Sequence, residues 1–265
     1  MLLWNPRSRA TVLTVFGSVV LVVFVAPLAI VVFAGLAGSW NGALPSNLGL
    51  GHVSAALSGE NLASLSVSLQ SAIIAGGLAL ILGTWAALAA REAPAWLQRL
   101  TDAVFHLPIA VPSVTIGLGL LIAFNARPLL LGGTRWIVIL AHTVLVLAFA
   151  FSAVSAALDR LDPAYRQVAE SLGAGPVRVL FRITLPLLMP ALGAAAGLAV
   201  ALSMGELGAT VMVYPATWKT LPVTIFGLTD RGQALQAAAC TTVLLLVTLV
   251  ALLVLGRIRG RAALR

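Results

Sequence analysis

The chain has 265 residues, of which 60% are hydrophobic and 9% charged, and its mean hydropathy is +1.06. Soluble domains carry about a quarter charged residues, so this composition excludes an ordinary globular protein and points to a polytopic membrane protein. The net charge of +8, from 16 Lys and Arg against 8 Asp and Glu, is scattered between apolar runs, which fits topological signals and contact with lipid headgroups and not a nucleic-acid surface.

Arg7 and Arg9 precede a stretch without Asp, Glu, Lys or Arg from Ala10 to Gly59. The apolar run Leu13–Leu36 is much longer than the about 7–15 residues of a secretory leader core, so it is read as a retained first span. Five further runs reach the about 20 residues that crossing requires: Leu65–Ala90, His106–Phe124, Trp136–Leu158, Leu187–Tyr214 and Ala237–Leu255. They lack the alternation of barrel strands and exceed strand length, so the fold class is all-α, a transmembrane helical bundle of about six spans. The whole chain, 1–265, reads as one transmembrane domain with no internal repeat.

Placing the N-terminus inside puts Arg7, Arg9, Arg91, Arg99, Arg160, Arg166, Arg178, Arg182, Arg257, Arg259, Arg261 and Arg265 in cytoplasmic segments. Only Arg127, Arg135, Lys219 and Arg231 then face outward. Both termini are therefore expected in the cytoplasm. The first outer segment, Ala37–Ser64, has no Lys or Arg and carries turn formers around Trp40-Asn-Gly and Pro45-Ser-Asn, with Trp40 as an interfacial anchor. The last outer segment contains Leu221–Leu228, too short to cross but apolar enough to dip inward as part of an outer gate.

Between the fourth and fifth spans lies a polar, Arg-bearing loop at about 159–186. Asp162-Pro163 is a helix start and Gly173 a helix stop. Tyr165, Val168, Ala169 and Leu172 recur three, four and seven apart, which gives one apolar face, while Arg166 and Glu170 lie on the other. Gly175-Pro176 restarts a helix that carries Arg178 and Arg182 toward Pro186, the expected start of the fifth span. Such a helix can lie on headgroups or insert into a partner's groove.

Within the apolar runs the ionisable residues are few. Glu206 is the one carboxylate inside a span, roughly 28 Å along a helix counted from Leu187. It reads either as a pathway or outer-gate residue, or as a structural partner of a neighbouring helix through Arg231 or Lys219. Gly193–Gly197 is a small-residue pattern that permits close helix contact. His106 and His142 have no carboxylate or Cys nearby in sequence and read as satisfied buried histidines in preference to metal ligands. Cys240, the one cysteine, reads as a small buried hydrophobe. Pro27, Pro108, Pro112 and Pro190 are candidate kinks. No catalytic pair, metal cluster or cofactor motif emerges, and the phosphate-loop pattern Gly-x-x-x-x-Gly-Lys-Ser/Thr is absent from the sequence. An intramembrane enzyme would have to rest on Glu206 and His142, which no motif links. A secondary transporter would need more intramembrane charges or a repeated half.

The stretch Gln167-Val-Ala-Glu-Ser-Leu-Gly173, followed after nine residues by Ile183-Thr-Leu-Pro186, resembles the cytoplasmic docking loop of permease subunits of binding-protein-dependent ABC importers. The family pattern is Glu-Ala-Ala, three residues, Gly, nine residues, Ile, one residue, Leu-Pro. Ala169, Gly173, Ile183, Leu185 and Pro186 fall on it, and Gln167 and Val168 depart from it. Pro112-Ser-Val-Thr-Ile-Gly-Leu-Gly and Gly205-Glu-Leu-Gly-Ala-Thr also look like segments of these permeases. The run from Glu206 through Tyr214-Pro and Trp218-Lys-Thr-Leu-Pro to Leu228-Thr-Asp-Arg-Gly is most similar to permeases of 2-aminoethylphosphonate importers, and ferric-iron, molybdate, sulfate and polyamine permeases share parts of it.

The resemblance implies a type I ABC-importer permease fold in a bacterial inner membrane. It further implies ABC ATPase subunits that hydrolyse ATP, a second permease chain and a periplasmic substrate-binding protein. ATPase docking would then fall on Tyr165, Gln167, Val168, Ala169, Leu172, Gly173, Ile183, Leu185 and Pro186.

Overall fold

A computed structural model describes residues 6–42 and 44–263, with side chains from Ser8 to Arg257. The side chains of Arg7, Arg259 and Arg261, and all of Arg265, which entered the orientation argument, lie outside the described residues. The described chain is almost entirely helical, as the apolar runs require. Five helices are long and apolar enough to cross a membrane, and six spans result if one bent pair counts as a span.

In chain order the elements are α1 (Pro6–Val20), α2 (Ala26–Leu36), strands β1 (Ala37–Ser39) and β2 (Ser46–Leu48), α3 (Gly51–Ala56), α4 (Gly59–Arg91), α5 (Ala95–Ala110), α6 (Ser113–Ala123) and α7 (Arg135–Asp159). They continue with α8 (Ala164–Ser171), α9 (Pro176–Val179), α10 (Leu185–Met204), α11 (Gly208–Val213), α12 (Leu221–Asp230) and α13 (Ala234–Ala263). The chain divides into two compact units, one of Met1–Leu62 with Thr224–Leu244, the other of Ala63–Val223 with Leu245–Arg265.

In the first unit α1 passes into α2 through a π-helical turn, Leu21–Val25, in which the Ala26 N–H reaches back to the Leu21 carbonyl. Pro27 follows at once. Its missing N–H would leave a gap in a regular ladder, and the widened turn carries the helix past it, so Pro27 does not end the span. The segment after α2 is more ordered than its turn formers announced. Ala37 pairs with Leu48 and Ser39 with Ser46 in an antiparallel ribbon, followed by α3. Gly35 lets α2 approach α13 so closely that a Cβ there would stand 2.8 Å from the Ala239 Cα. His52 and Gln236 exchange two hydrogen bonds, of 2.9 and 3.2 Å.

The second unit is organised by small residues. Ser68, Ser71, Ala72, Ala75, Ala79 and Gly83 on α4 are buried at spacings of three and four, so α4 lies against its neighbours along one narrow stripe. A Cβ on Gly83 would meet the Phe151 backbone nitrogen at 2.9 Å. Ala79, Val146, Ala150 and Ala199 join α4, α7 and α10, and Phe151, Val154, Leu158 and Leu188 extend that core toward the docking loop. Ser71 and Ser68 hold the stretch before α12: the Trp218 Nε1–H donates to Ser71 Oγ at 3.0 Å, and the Leu221 N–H to Ser68 Oγ at 2.7 Å. Gly197 of the small-residue pattern is buried, with room for a Cβ 3.4 Å from a Leu252 methyl.

Two expected spans are not continuous. The third run is two helices, α5 and α6, bent by 106°. Pro112 forces Val111 into an extended conformation (φ −105°, ψ 132°), and the helix restarts at Ser113. The fifth run stops at Met204. Gly205, Glu206 and Leu207 are irregular, and the short α11 follows. Glu206 is therefore at a helix break, not within a helix as its apolar surroundings implied. Conversely, Pro186 does not start the fifth span. A second π-helical turn, Leu180–Thr184, precedes it, so one helix runs from Pro176 to Met204. The segment Leu221–Leu228 is helical within α12, which ends at Asp230 and is followed by Gly232 at φ +74°.

Candidate functional site

The loop at about 159–186, expected from the sequence to dock an ATPase, is built by capping. Asp162 Oδ1 accepts the Ala164 N–H at 2.8 Å and opens α8. At its end Gly173 takes φ +79°, the Gly173 N–H donates to the Glu170 carbonyl at 2.9 Å, and the Ala174 N–H to the Ala169 carbonyl at 2.9 Å. These two bonds form a Schellman termination, which needs a residue that tolerates the left-handed region. The helix is thus Ala164–Ser171, one residue shorter at each end than the sequence expectation of 163–172.

The residues expected at the docking surface divide into several groups. Tyr165, Val168 and Leu172 lie exposed along one side of α8, with Leu172 82% accessible. Ala169, which the periodicity placed with them, is buried and packs inward. Tyr165, Gln167 and Ile183 line a groove of about 670 Å³ that also takes in Leu88, Glu92 and Leu187. Leu185 is half-buried and Pro186 exposed, and neither lines that groove. Gly173 borders a second, shallower depression with Val177, Arg178 and Phe181. Val177 and Phe181 are both exposed apolar side chains four residues apart, a spacing legible in the sequence although the motif pattern does not include it. Arg166 ties the loop to the end of α4, pairing with Glu170 at 2.7 Å and with Glu92. The hydrogen bonds to Glu170 and then Glu92 raise its pKa, so the guanidinium stays charged at any physiological pH.

A second site forms where the two helix breaks meet. A cavity of about 210 Å³ is lined by Val111 and Ser113 at the α5–α6 break, by His142, Leu145, Val146 and Phe149 of α7, and by Leu202 and Glu206 at the α10–α11 break, with Pro108 and Ile109 beside them. Interrupted helices are tolerated at membrane depth where they line such a cavity. Glu206 is half-buried, and its Oε1 accepts the Ala209 N–H at 2.7 Å, capping α11.

His142 is fully committed within the bundle. Its Nδ1 is 2.6 Å from Ser203 Oγ and its Nε2 2.8 Å from Thr210 Oγ1. Thr210 Oγ1 also lies 3.4 Å from the Glu206 carbonyl, and if its hydroxyl donates there it accepts from Nε2–H, leaving Nδ1 to accept from the Ser203 hydroxyl. One imidazole thereby bridges α7 to both sides of the α10–α11 break. His106 is likewise engaged, with Nδ1 2.7 Å from the Asp102 carbonyl and Nε2 2.8 Å from Ser152 Oγ. His142 is thus the satisfied buried histidine that the sequence favoured, whereas His106 is hydrogen-bonded but exposed. Cys240 is buried, 3.8 Å from the Gln236 amide nitrogen.

Comparison with known proteins agrees with this architecture. Residues 79–262 match the family described as "Binding-protein-dependent transport system inner membrane component". The chain is 48% identical over 261 residues, 98% of each chain, to the "Putative 2-aminoethylphosphonate transport system permease protein PhnV" of Salmonella paratyphi A. It is 34% identical over 161 residues, 54% of this chain and 69% of the other, to the molybdenum transport system permease protein ModB of Escherichia coli. Among solved structures, a chain of a bacterial ABC transporter that imports alginate superposes with a TM-score of 0.72 at 18% identity, covering 96% of this chain and 94% of that one. A chain of the inward-facing MetNI methionine ABC transporter gives 0.64 at 15% identity, covering 76% and 95%. The chain belongs to the family of inner-membrane permease components of binding-protein-dependent ABC importers.

Proposed function

We propose that this permease forms the translocation pathway of an importer for 2-aminoethylphosphonate. The observation that supports the substrate is the near-full-length similarity, 48% over 98% of the chain, to a Salmonella protein named for that compound. The similarity to the molybdenum permease supports a second reading, oxyanion import, but reaches only 54% of the chain.

In this reading the chain is one transmembrane domain with a docking loop at about 159–186 and both termini in the cytoplasm. The exposed side chains of Tyr165, Val168 and Leu172, with Val177 and Phe181, insert into a cleft on a separate ATPase, which carries out ATP hydrolysis. Gln167 and Ile183 support the same surface from the groove, Gly173 sets its shape, Ala169 holds it from behind, and Leu185 and Pro186 carry the loop into α10. A second permease chain completes the pathway, and a periplasmic binding protein delivers substrate. ATP binding draws the ATPase subunits together and turns the pathway outward. Glu206 stands on the pathway at the α10–α11 break.

The test is growth. Deletion in a strain lacking other phosphonate importers should abolish growth on 2-aminoethylphosphonate as sole phosphorus source and leave growth on phosphate intact. Unchanged growth on 2-aminoethylphosphonate would reject the substrate.

A further inference from the structure

The cavity at the two helix breaks is apolar except for Ser113, His142 and Glu206. Two of these three differ sharply in what they have left to offer. Both ring nitrogens of His142 are taken by Ser203 and Thr210. Glu206 uses Oε1 on the Ala209 N–H, which leaves Oε2 as an acceptor facing the same cavity. A half-buried carboxylate with one oxygen to offer, in a mostly aliphatic wall, is a site where a cation gains more than it would in water. Desolvated carboxylates of this kind in membrane bundles pair with a cation or mark a substrate route. Phe149 lines the same cavity, and an aromatic ring beside a carboxylate adds attraction for an ammonium group.

We infer that Glu206 is the recognition point for a primary ammonium group on the translocated substrate. The ammonium would donate to Glu206 Oε2 while Oε1 keeps the Ala209 N–H, so the break is not disturbed when the site fills. The Ser113 hydroxyl, which forms no hydrogen bond among the described residues, provides a neutral donor at the opposite break for an acceptor on the same molecule. The space also fits: a single water needs about 10–15 Å³ by comparable measure, so about 210 Å³ admits a compact zwitterion. This assignment rests on the substrate reading above for the identity of the zwitterion and on the cavity alone for the ammonium. It makes Glu206 a determinant of specificity for aminated over plain alkyl phosphonates, in addition to whatever the binding protein selects.

The experiment uses the complete importer, with its ATPase subunits and second permease chain, in lipid nanodiscs without binding protein. Retention of radiolabelled 2-aminoethylphosphonate is competed with unlabelled 2-aminoethylphosphonate or ethylphosphonate, which lacks the amine. A charge-assisted hydrogen bond predicts that the aminated competitor is more effective by roughly tenfold or more. Glu206→Gln keeps the shape and an acceptor for the Ala209 N–H and should remove that preference, whereas Glu206→Asp should retain part of it. Equal displacement by the two competitors in the wild type, or an undiminished preference in Glu206→Gln, overturns the assignment. If Glu206→Gln does not accumulate in the membrane, the wild-type competition decides alone. Should the wild type not retain 2-aminoethylphosphonate, radiolabelled putrescine is the second probe: Glu206-dependent retention of putrescine would keep the ammonium site and reject the substrate reading, and no retention of either would reject both.

Discussion

Gly117 of α6 and Ala209 of α11 are in backbone contact: a Cβ on Gly117 would stand 2.6 Å from the Ala209 carbonyl oxygen and 2.8 Å from its Cα. One turn earlier, Gly208 faces Ser113 and Val114 with equally little room. The two short helices that follow the two breaks are thus fitted to each other along a glycine seam. Ile137, Val138 and Ala141 of α7 pack with Ala209 and Val213 behind it.

This seam makes a prediction that separates steric from general glycine effects. Gly117→Ala meets backbone atoms that cannot turn aside and should cost about 1–3 kcal/mol. Gly119→Ala in the same helix meets nothing within 4 Å and should be neutral or slightly stabilising. Thermal denaturation of the detergent-purified importer, followed by size-exclusion chromatography, measures both. Equal melting temperatures for the two variants would show that the seam is not closed in the native protein.

At Gly173 the constraint is of another kind. No atom lies within 4 Å of a Cβ there, so only the φ of +79° resists substitution. Gly173→Val should cost on the order of 1–2 kcal/mol and loosen the ATPase from the membrane, while the permease itself remains inserted. Gly173→Asn, which tolerates the left-handed region, should keep most of the association. The measurement is ATPase co-purified per permease, and full retention by the Val variant would dissociate Gly173 from docking.

The outer and inner sides of α8 should respond oppositely to the same change. Leu172→Asp and Phe181→Asp alter exposed side chains and should lower ATPase co-purification by roughly tenfold with normal permease abundance. Ala169→Asp places a carboxylate where the side chain is buried, and should reduce the abundance of the permease itself. Quantitative immunoblots of membranes, before and after affinity purification, distinguish the two losses. Loss of the permease in the Leu172 variant would mean that this face is covered by the chain's own fold.

Orientation is testable with two fusions. A reporter active only in the periplasm should be active after Ser46, in the β1–β2 ribbon, and silent after Ala174, beyond α8. The opposite pattern would place the docking loop outside and remove the basis for an ATPase partner there.

The sequence revealed helices better than it revealed their interruptions. Hydropathy sums over side chains, and neither Val111-Pro112 nor Gly205-Glu206 lowers it enough to split a run of some 20 apolar residues. The local chemistry was nevertheless present. Pro108 and Pro112 fall in one run, and a Gly followed by the one intramembrane carboxylate is a stop followed by a cap. Pro27 and Pro186 show the reverse difficulty, since each is bypassed by a π-helical turn that depends on the register of the ladder upstream. Spacing located the helix of the loop at about 159–186 and its apolar residues, but the 3, 4, 7 recurrence spans too wide an arc to tell Ala169, buried, from Val168, exposed. The cavity itself lay beyond reach, because it depends on α5, α6, α7 and α10 meeting at one level.

The uninterrupted helix from Pro176 to Met204 is a rigid rod of 29 residues, roughly 43 Å, with the docking loop at one end and Glu206 just past the other. A rod transmits tilt with leverage. If the docking end is held as the pivot, a tilt of about 10° sweeps the far end sideways by ~7 Å. Had Pro186 broken the helix, the same tilt would have been absorbed at the membrane surface. The π-helical turn at Leu180–Thr184 therefore does more than accommodate a proline: it keeps the two ends of this helix mechanically in phase, so that, if an ATPase moves the loop as proposed, a small rotation there becomes a displacement as wide as a small substrate beside Glu206.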